Sequence, residues 1–173
     1  SSLMSLSPEF ALPALSTNEI YDRQRALAKN DEPTVFKMSA QLLDQGRTDT
    51  PLCATEGITA RLKVYASGGE NALHAHPHED HMFIVLQGSA EFFDSEGELA
   101  KLDSHEGIML PKGSFYRFHA TSDEPLVLLR VGTPNQSPKL SPNRIDPAGK
   151  PMVGDSKTNK TEFVRFRDGE YFG

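Results

Sequence analysis

The chain is short of several things, and each shortage narrows its function. It has one cysteine, Cys53, in 173 residues, which excludes an intrachain disulfide framework and a cysteine-rich zinc site. Any metal must therefore be held by nitrogen and oxygen. Positive charge is also scarce: 18 Lys and Arg against 24 Asp and Glu give a net charge of -6 at pH 7. The basic residues are dispersed, so there is no electrostatic footprint for DNA, RNA or anionic lipid. The longest apolar run, residues 82–86, is far too short to span a bilayer, and residues 1–15 lack the basic start and apolar block of a signal peptide. A cytoplasmic protein with no nucleic-acid and no membrane partner is the expectation.

What is present suits one domain with an arm at either end. Residues 1–33 read as an N-terminal arm and a short helix. Ser16-Thr17-Asn18-Glu19 looks like a capping box, with Ser16 accepting from the Glu19 amide and Glu19 reaching back. The helix runs to about Lys29, with Ile20, Leu27 and Ala28 on its apolar face. Residues 34–132 change to short β-like runs broken by Gly, Pro and Asp. Strands are expected at 34–38, 58–66, 71–76, 81–93, 98–102, 108–110, 115–119 and 126–131. In 58–66, Ile58, Ala60, Leu62 and Val64 alternate with Thr59, Arg61, Lys63 and Tyr65. Spacing of roughly 8–12 residues indicates an all-β barrel or sandwich. Residues 133–173 form a C-terminal arm too proline-rich, at Pro134, Pro138, Pro142 and Pro147, for regular helix or central strand. Its final Phe163-Val164-Arg165-Phe166 and Tyr171-Phe172 are apolar enough to dock on the barrel or on a second subunit.

Four of the six histidines fall within residues 74–81, "HAHPHEDH". His74 and His76 are two apart, so a strand would point both imidazoles to one face, where two nitrogens can share a cation. Residues 77–80 interrupt that strand. His81 then opens a run in which Phe83 and Val85 share its face while Met82, Ile84 and Leu86 take the other, so the strand is buried and its histidine needs a partner. His78 sits inside the proposed loop and is expected to face solvent or to stand behind the ligands. His105 and His119 are isolated and read as ordinary residues. Arg61 and Arg130, on strands expected to be largely buried, are most simply surface or rim ion pairs, although an arginine turned inward would suit a substrate carboxylate or enolate.

The segment 68–88, "GGENALHAHPHEDHMFIVLQG", resembles the first cupin motif: glycine, five residues, His-x-His, three or four residues, a carboxylate, six residues, glycine. Residues 106–118, "EGIMLPKGSFYRF", are similar to the second, whose core is Pro-x-Gly-x-x-His. The resemblance covers about residues 56–132 and implies an all-β fold, the double-stranded β-helix or cupin jelly-roll barrel, carrying one metal. Two positions depart from the pattern. Six residues before Gly88 stands His81, where most cupins have glutamate; a shift by one would offer Asp80. Tyr116 stands where the last histidine ligand normally is, and His119 lies on the opposite strand face.

The expected ligands are therefore His74, His76 and His81, with Tyr116 as a fourth ligand or a hydrogen-bonding group. Three neutral imidazoles leave open positions on the metal, the mark of a catalytic site. They suit one divalent transition metal: Fe leads, with Mn, Ni, Cu or Zn as alternatives. The resemblance implies a metal-dependent oxidoreductase, a dioxygenase acting on O2 and a small enolisable or aromatic substrate. The alternatives are a non-redox isomerase or lyase in which Glu79, Asp80 or Tyr116 moves protons, and a non-catalytic small-ligand-binding cupin. Open sheet edges and the long arm suggest a homodimer.

Overall fold

The computed structural model describes residues 12–66, 71–135, 143–152 and 163–173. Helix α1 (Thr17–Ala28) is followed by strands β1 (Ala40–Gln45), β2 (Arg47–Ala54) and β3 (Thr59–Tyr65). After the histidine-rich segment come β4 (His81–Gln87), β5 (Ala90–Phe93), β6 (Glu98–Leu102) and β7 (Gly107–Leu110). Strands β8 (Arg117–Ala120), β9 (Leu126–Gly132) and β10 (Arg165–Phe172) complete the set. They pair into a five-stranded sheet in the order β2-β3-β9-β4-β7, a three-stranded sheet β6-β5-β8, and a ribbon of β1 with β10. All the pairings between these strands are antiparallel, and the fold is a double-stranded β-helix.

The alternation expected for residues 58–66 is present in β3, but both of its faces are covered. Leu62 and Val64 are fully buried against β1, β9 and the C-terminal strand, in a core that includes Leu42, Leu43 and Val127 with Val164 and Phe172 packed on it. The opposite face looks into the barrel. There Tyr65 joins the inner core of Phe83, Val85, Phe92, Phe118 and Leu128. Phe92 stacks on Phe118 at 4.8 Å and Tyr65 meets Phe118 edge-on at 4.9 Å, the geometries aromatic quadrupoles favour.

Four segments differ from the sequence reading. Residues 34–38 form no strand, and residues 40–54 form two. β2 hides one face behind threonines, since Thr48, Thr50 and Leu52 turn to the outer core beside Val64 and Leu62, while Arg47 and Asp49 turn to the barrel cavity. Pro51 is tolerated because β2 is an edge strand and the register shifts beside it. The run 81–93 is cut in two at Gly88, whose φ of +80° is left-handed and where a Cβ would sit 2.7 Å from the Ser122 hydroxyl. Residues 71–76 contribute two isolated bridges, His74 with Tyr116 and Ala75 with Ile145.

At the ends, Ser16 caps α1 by accepting from the Glu19 amide at 3.1 Å, while the Glu19 carboxylate accepts from the Leu15 amide at 2.5 Å. That amide is one residue earlier than a capping box places it. β10 pairs with β1 along Ala40↔Phe172 and Leu43↔Phe166. Val164 and Phe172 dock on the outer core, whereas Phe163, Phe166 and Tyr171 stay exposed. No helix among the described residues is long and apolar enough to cross a membrane.

Candidate metal centre

Two stretches of backbone deliver the histidines. The amide of His74 donates to the Tyr116 carbonyl at 3.0 Å and that of Tyr116 to the His74 carbonyl at 2.8 Å, which holds the two rings together with centroids 4.4 Å apart. Ala75 bonds Ile145 reciprocally at 2.9 and 3.0 Å, and Gly113 donates to the His76 carbonyl at 2.9 Å. The turn at Pro77 and His78 then leaves His78 exposed and brings Glu79 back inside, buried at 3% exposure. His81 opens β4 on the buried face it shares with Phe83 and Val85. Gly132, its partner in the sheet, leaves room for the ring, since a Cβ there would lie 2.9 Å from His81 Cδ2.

The hydrogen bonds fix what two of the rings can do. His74 Nδ1 lies 2.7 Å from the Ala72 carbonyl oxygen and His76 Nδ1 lies 2.7 Å from that of Asn143. A carbonyl only accepts, so each ring proton sits on Nδ1 and each lone pair on Nε2. Both Nε2 atoms are buried without a hydrogen-bond partner among the described residues. Burial first, with Arg144 next, pushes both imidazoles well below their usual pKa, so they remain neutral. Backbone-anchored neutral rings with bare Nε2 lone pairs are what a first-row divalent metal takes.

His81 differs. Its Nε2 lies 2.8 Å from Glu79 Oε1 and also touches Arg130 Nη2, so it can donate to the carboxylate or accept from the guanidinium, but not both at once. Its Nδ1 is 3.4 Å from the Tyr116 hydroxyl. Burial first and Arg130 second hold it neutral as well. His76, Glu79 and His81 each offer a ligand atom within 4.8 Å of the others, with the His74 ring 5.0 Å from that of His76. The donor set fits a divalent transition metal. Glu79, which the sequence suggested as a proton carrier, joins this cluster. It supplies from two residues upstream the carboxylate that the sequence lacks at position 81. Tyr116 is buried at 3% exposure, and burial pushes its hydroxyl up to about 12 against the opposing pull of Arg144, Arg130 and Arg61. It stands as a neutral phenol beside His81.

Asp80 faces elsewhere: its carboxylate accepts from the Lys112 amide at 2.9 Å and its carbonyl from the Thr133 amide at 3.1 Å, bracing the loop. His105 is exposed, and His119 stacks on Phe93 outside the barrel at 5.2 Å.

The two arginines overturn the expectation of surface or rim ion pairs. Arg61 and Arg130 are exposed by only 7% and 3% and stand opposite each other in the β3–β9 register, facing a cavity of about 590 Å³. Like charges in register repel, and each has its own acid. Arg61 lies 3.4 Å from Asp49 Oδ2, and Arg130 lies 3.4 Å from Glu79 Oε1. Lys63 shares Asp49 at 3.6 Å, yet burial outweighs that carboxylate and draws its ammonium down to about 7. Burial alone would raise Asp49; Arg61 and Lys63 beside it hold it below the usual carboxylate value. Arg144, from the proline-rich arm, lines the same cavity, as do residues 13–18 and Tyr21. These polar walls were visible as the Thr59, Arg61, Lys63, Tyr65 face of one strand. Nothing in the sequence marked Arg144.

Comparison with known proteins agrees with this architecture. Residues 61–132 match the family model of the cupin domain. A stretch of 57 residues is 37% identical to the uncharacterized protein YdbB of Bacillus subtilis, covering 33% of this chain and 49% of that one, so the chain spans about half the length of the curated relative it matches. Among solved structures, an uncharacterized conserved protein with a double-stranded β-helix domain from Klebsiella pneumoniae is 20% identical. It covers 61% of this chain and 93% of its own, with a TM-score of 0.53. An RmlC-like cupin from Shewanella frigidimarina is 13% identical over 62% of this chain and 94% of its own, with a TM-score of 0.50. At these identities the two structures speak for the fold alone.

Proposed function

The chain belongs to the cupin superfamily, and from that premise we propose that its barrel is a mononuclear metal enzyme, an oxygenase acting on a small enolisable or aromatic substrate. The observation that carries the reading is the pair of buried, unpartnered Nε2 lone pairs on His74 and His76 beside Glu79 and His81. Those four residues would hold the metal. When bound, a divalent ion there would supply Lewis acidity toward a substrate oxygen and, if it is iron, one-electron chemistry toward O2.

The remaining work falls to the chain itself. The cavity of about 590 Å³ is within the range of small-molecule sites, and Tyr65 and Phe83 give it aromatic wall. Tyr116, kept protonated by its burial, would hold a proton toward a substrate oxygen. Glu79, whose orientation Arg130 and His81 fix, would complete the donor set beside the histidines.

The test is anaerobic reconstitution with Fe(II), then an oxygen electrode with a panel of β-diketones and catechols. Oxygen uptake stoichiometric with loss of one panel member is the expected result. Turnover that proceeds with Zn(II) and without oxygen would replace oxygenation by Lewis-acid chemistry. Metal-independent ligand binding with no turnover would make the protein a binding cupin.

A further inference from the structure

The cavity is cationic in an acidic protein. Arg47, Arg61, Lys63, Arg130 and Arg144 line it, against Asp49 as the one acidic lining residue among those described, while the chain as a whole carries a net charge of -6. Asp49 is committed to Arg61 and Lys63, and Glu79 to Arg130 and His81. Among the described residues Arg144 has no carboxylate partner, and its Nη1 is buried without a hydrogen bond. Arg61 Nε is in the same condition. A buried donor left unpaired costs about 1–3 kcal/mol, and more when it is charged. Unused guanidinium donors in a solvent-reachable cavity are thus a site short of an acceptor.

Arg144 is also held in place. Ile145 beside it pairs with Ala75, between His74 and His76, and the Arg144 carbonyl accepts from the Met152 amide at 2.9 Å. The arm therefore anchors the guanidinium to the backbone that carries the two imidazoles. The cations also crowd one another, since Arg61 and Arg130 stand opposite each other in the β3–β9 register. An anion entering the cavity relieves that repulsion, and the acidic wall residue Asp49 is already paired with Arg61 and Lys63.

We propose that the Arg144 guanidinium, with Arg61 and Lys63 behind it, binds the carboxylate of a small carboxylic-acid substrate and presents its carbon skeleton to the histidine cluster. A planar fork suits a carboxylate bidentately, and the aromatic wall of Tyr65 and Phe83 receives the rest. This inference rests on the reading of the cavity as the active site, and it restricts the substrate class to carboxylates.

Calorimetric titration of the full chain with malonate, and in parallel with its uncharged dimethyl ester, tests it. The protein is first treated with chelator, so the outcome does not depend on a metal. Saturable malonate binding is expected, at least about tenfold tighter than the diester. Arg144→Gln should weaken malonate about 10- to 100-fold, the worth of one charge-assisted bond, Arg144→Lys should recover part of that, and Arg117→Gln, outside the barrel on the Phe93 ring, should change nothing. Equal binding of acid and ester, no binding of either, or wild-type affinity in Arg144→Gln overturns the proposal. Should Arg144→Gln fail to fold, the wild-type acid and ester comparison decides alone. A protein that binds malonate but takes up no metal refutes the metal reading only; one that takes up metal and ignores malonate refutes this inference only.

Discussion

Replacing His76 with Ala is expected to strip the protein of its metal while leaving the barrel folded. His76 lies in the cluster with Glu79 and His81, its Nδ1 is anchored on the Asn143 carbonyl, and its Nε2 has no hydrogen-bond partner among the described residues. Losing an outer partner of a ligand already costs roughly 10- to 100-fold in metal affinity, so losing the ligand itself should cost at least about 100-fold. Metal content by elemental analysis should fall from about one ion per chain to under about a tenth, with far-UV circular dichroism unchanged. An enzyme loses metal and turnover together, whereas a binding cupin keeps its ligand. Wild-type metal content in this variant would remove His76 from the site.

The second large effect is on stability. Glu79→Ala withdraws the carboxylate that Arg130 approaches at 3.4 Å and that accepts from the Asn135 amide at 2.9 Å. Arg130 is 3% exposed, so its charge would be left largely desolvated. Removing one partner of a buried pair costs about 3–5 kcal/mol because the other is left charged and unpaired. For a chain of this size that is a fall in melting temperature of about 10 °C. Measured on chelator-treated protein, the loss is independent of metal binding. Glu79→Gln, which keeps the acceptor for Asn135 but not the charge, should fall between. Stability of Glu79→Ala within about 0.5 kcal/mol of wild type, the range of an ordinary surface substitution, would mean that Arg130 is not held by this carboxylate.

Where the sequence was legible, a local rule decided the outcome. Alternation in 58–66 and in the His81, Phe83, Val85 run marked strands whose side chains do alternate, and Ser16 caps its helix because the cap depends on only a few neighbouring residues. The motif spacing located the histidine segment, and alternation placed His119 outside, opposite Tyr116. Legibility failed where a contact crosses the chain. Arg61 and Arg130 look like surface charges one at a time; only the β3–β9 register, 69 residues apart at Arg61↔Arg130, and the acids on β2 and in the loop make them affordable inside. Strand β2 was missed because threonines do the work of apolar residues on its buried face. Glu79 was assigned to a loop, and it was: the turn at Pro77 and His78 is what returns its carboxylate to the histidines. Arg144 reaches the cavity from a proline-rich arm through a single bridge between Ile145 and Ala75, a placement without period or motif.

The central claim is that His74, His76, Glu79 and His81 hold one transition-metal ion. Elemental analysis of protein purified without chelator and dialysed against Fe(II) under anaerobic conditions tests it most directly. About one ion per chain, retained through gel filtration, is the expected result. No bound metal after that dialysis, nor after dialysis against Mn(II), Ni(II), Cu(II) or Zn(II), would contradict it.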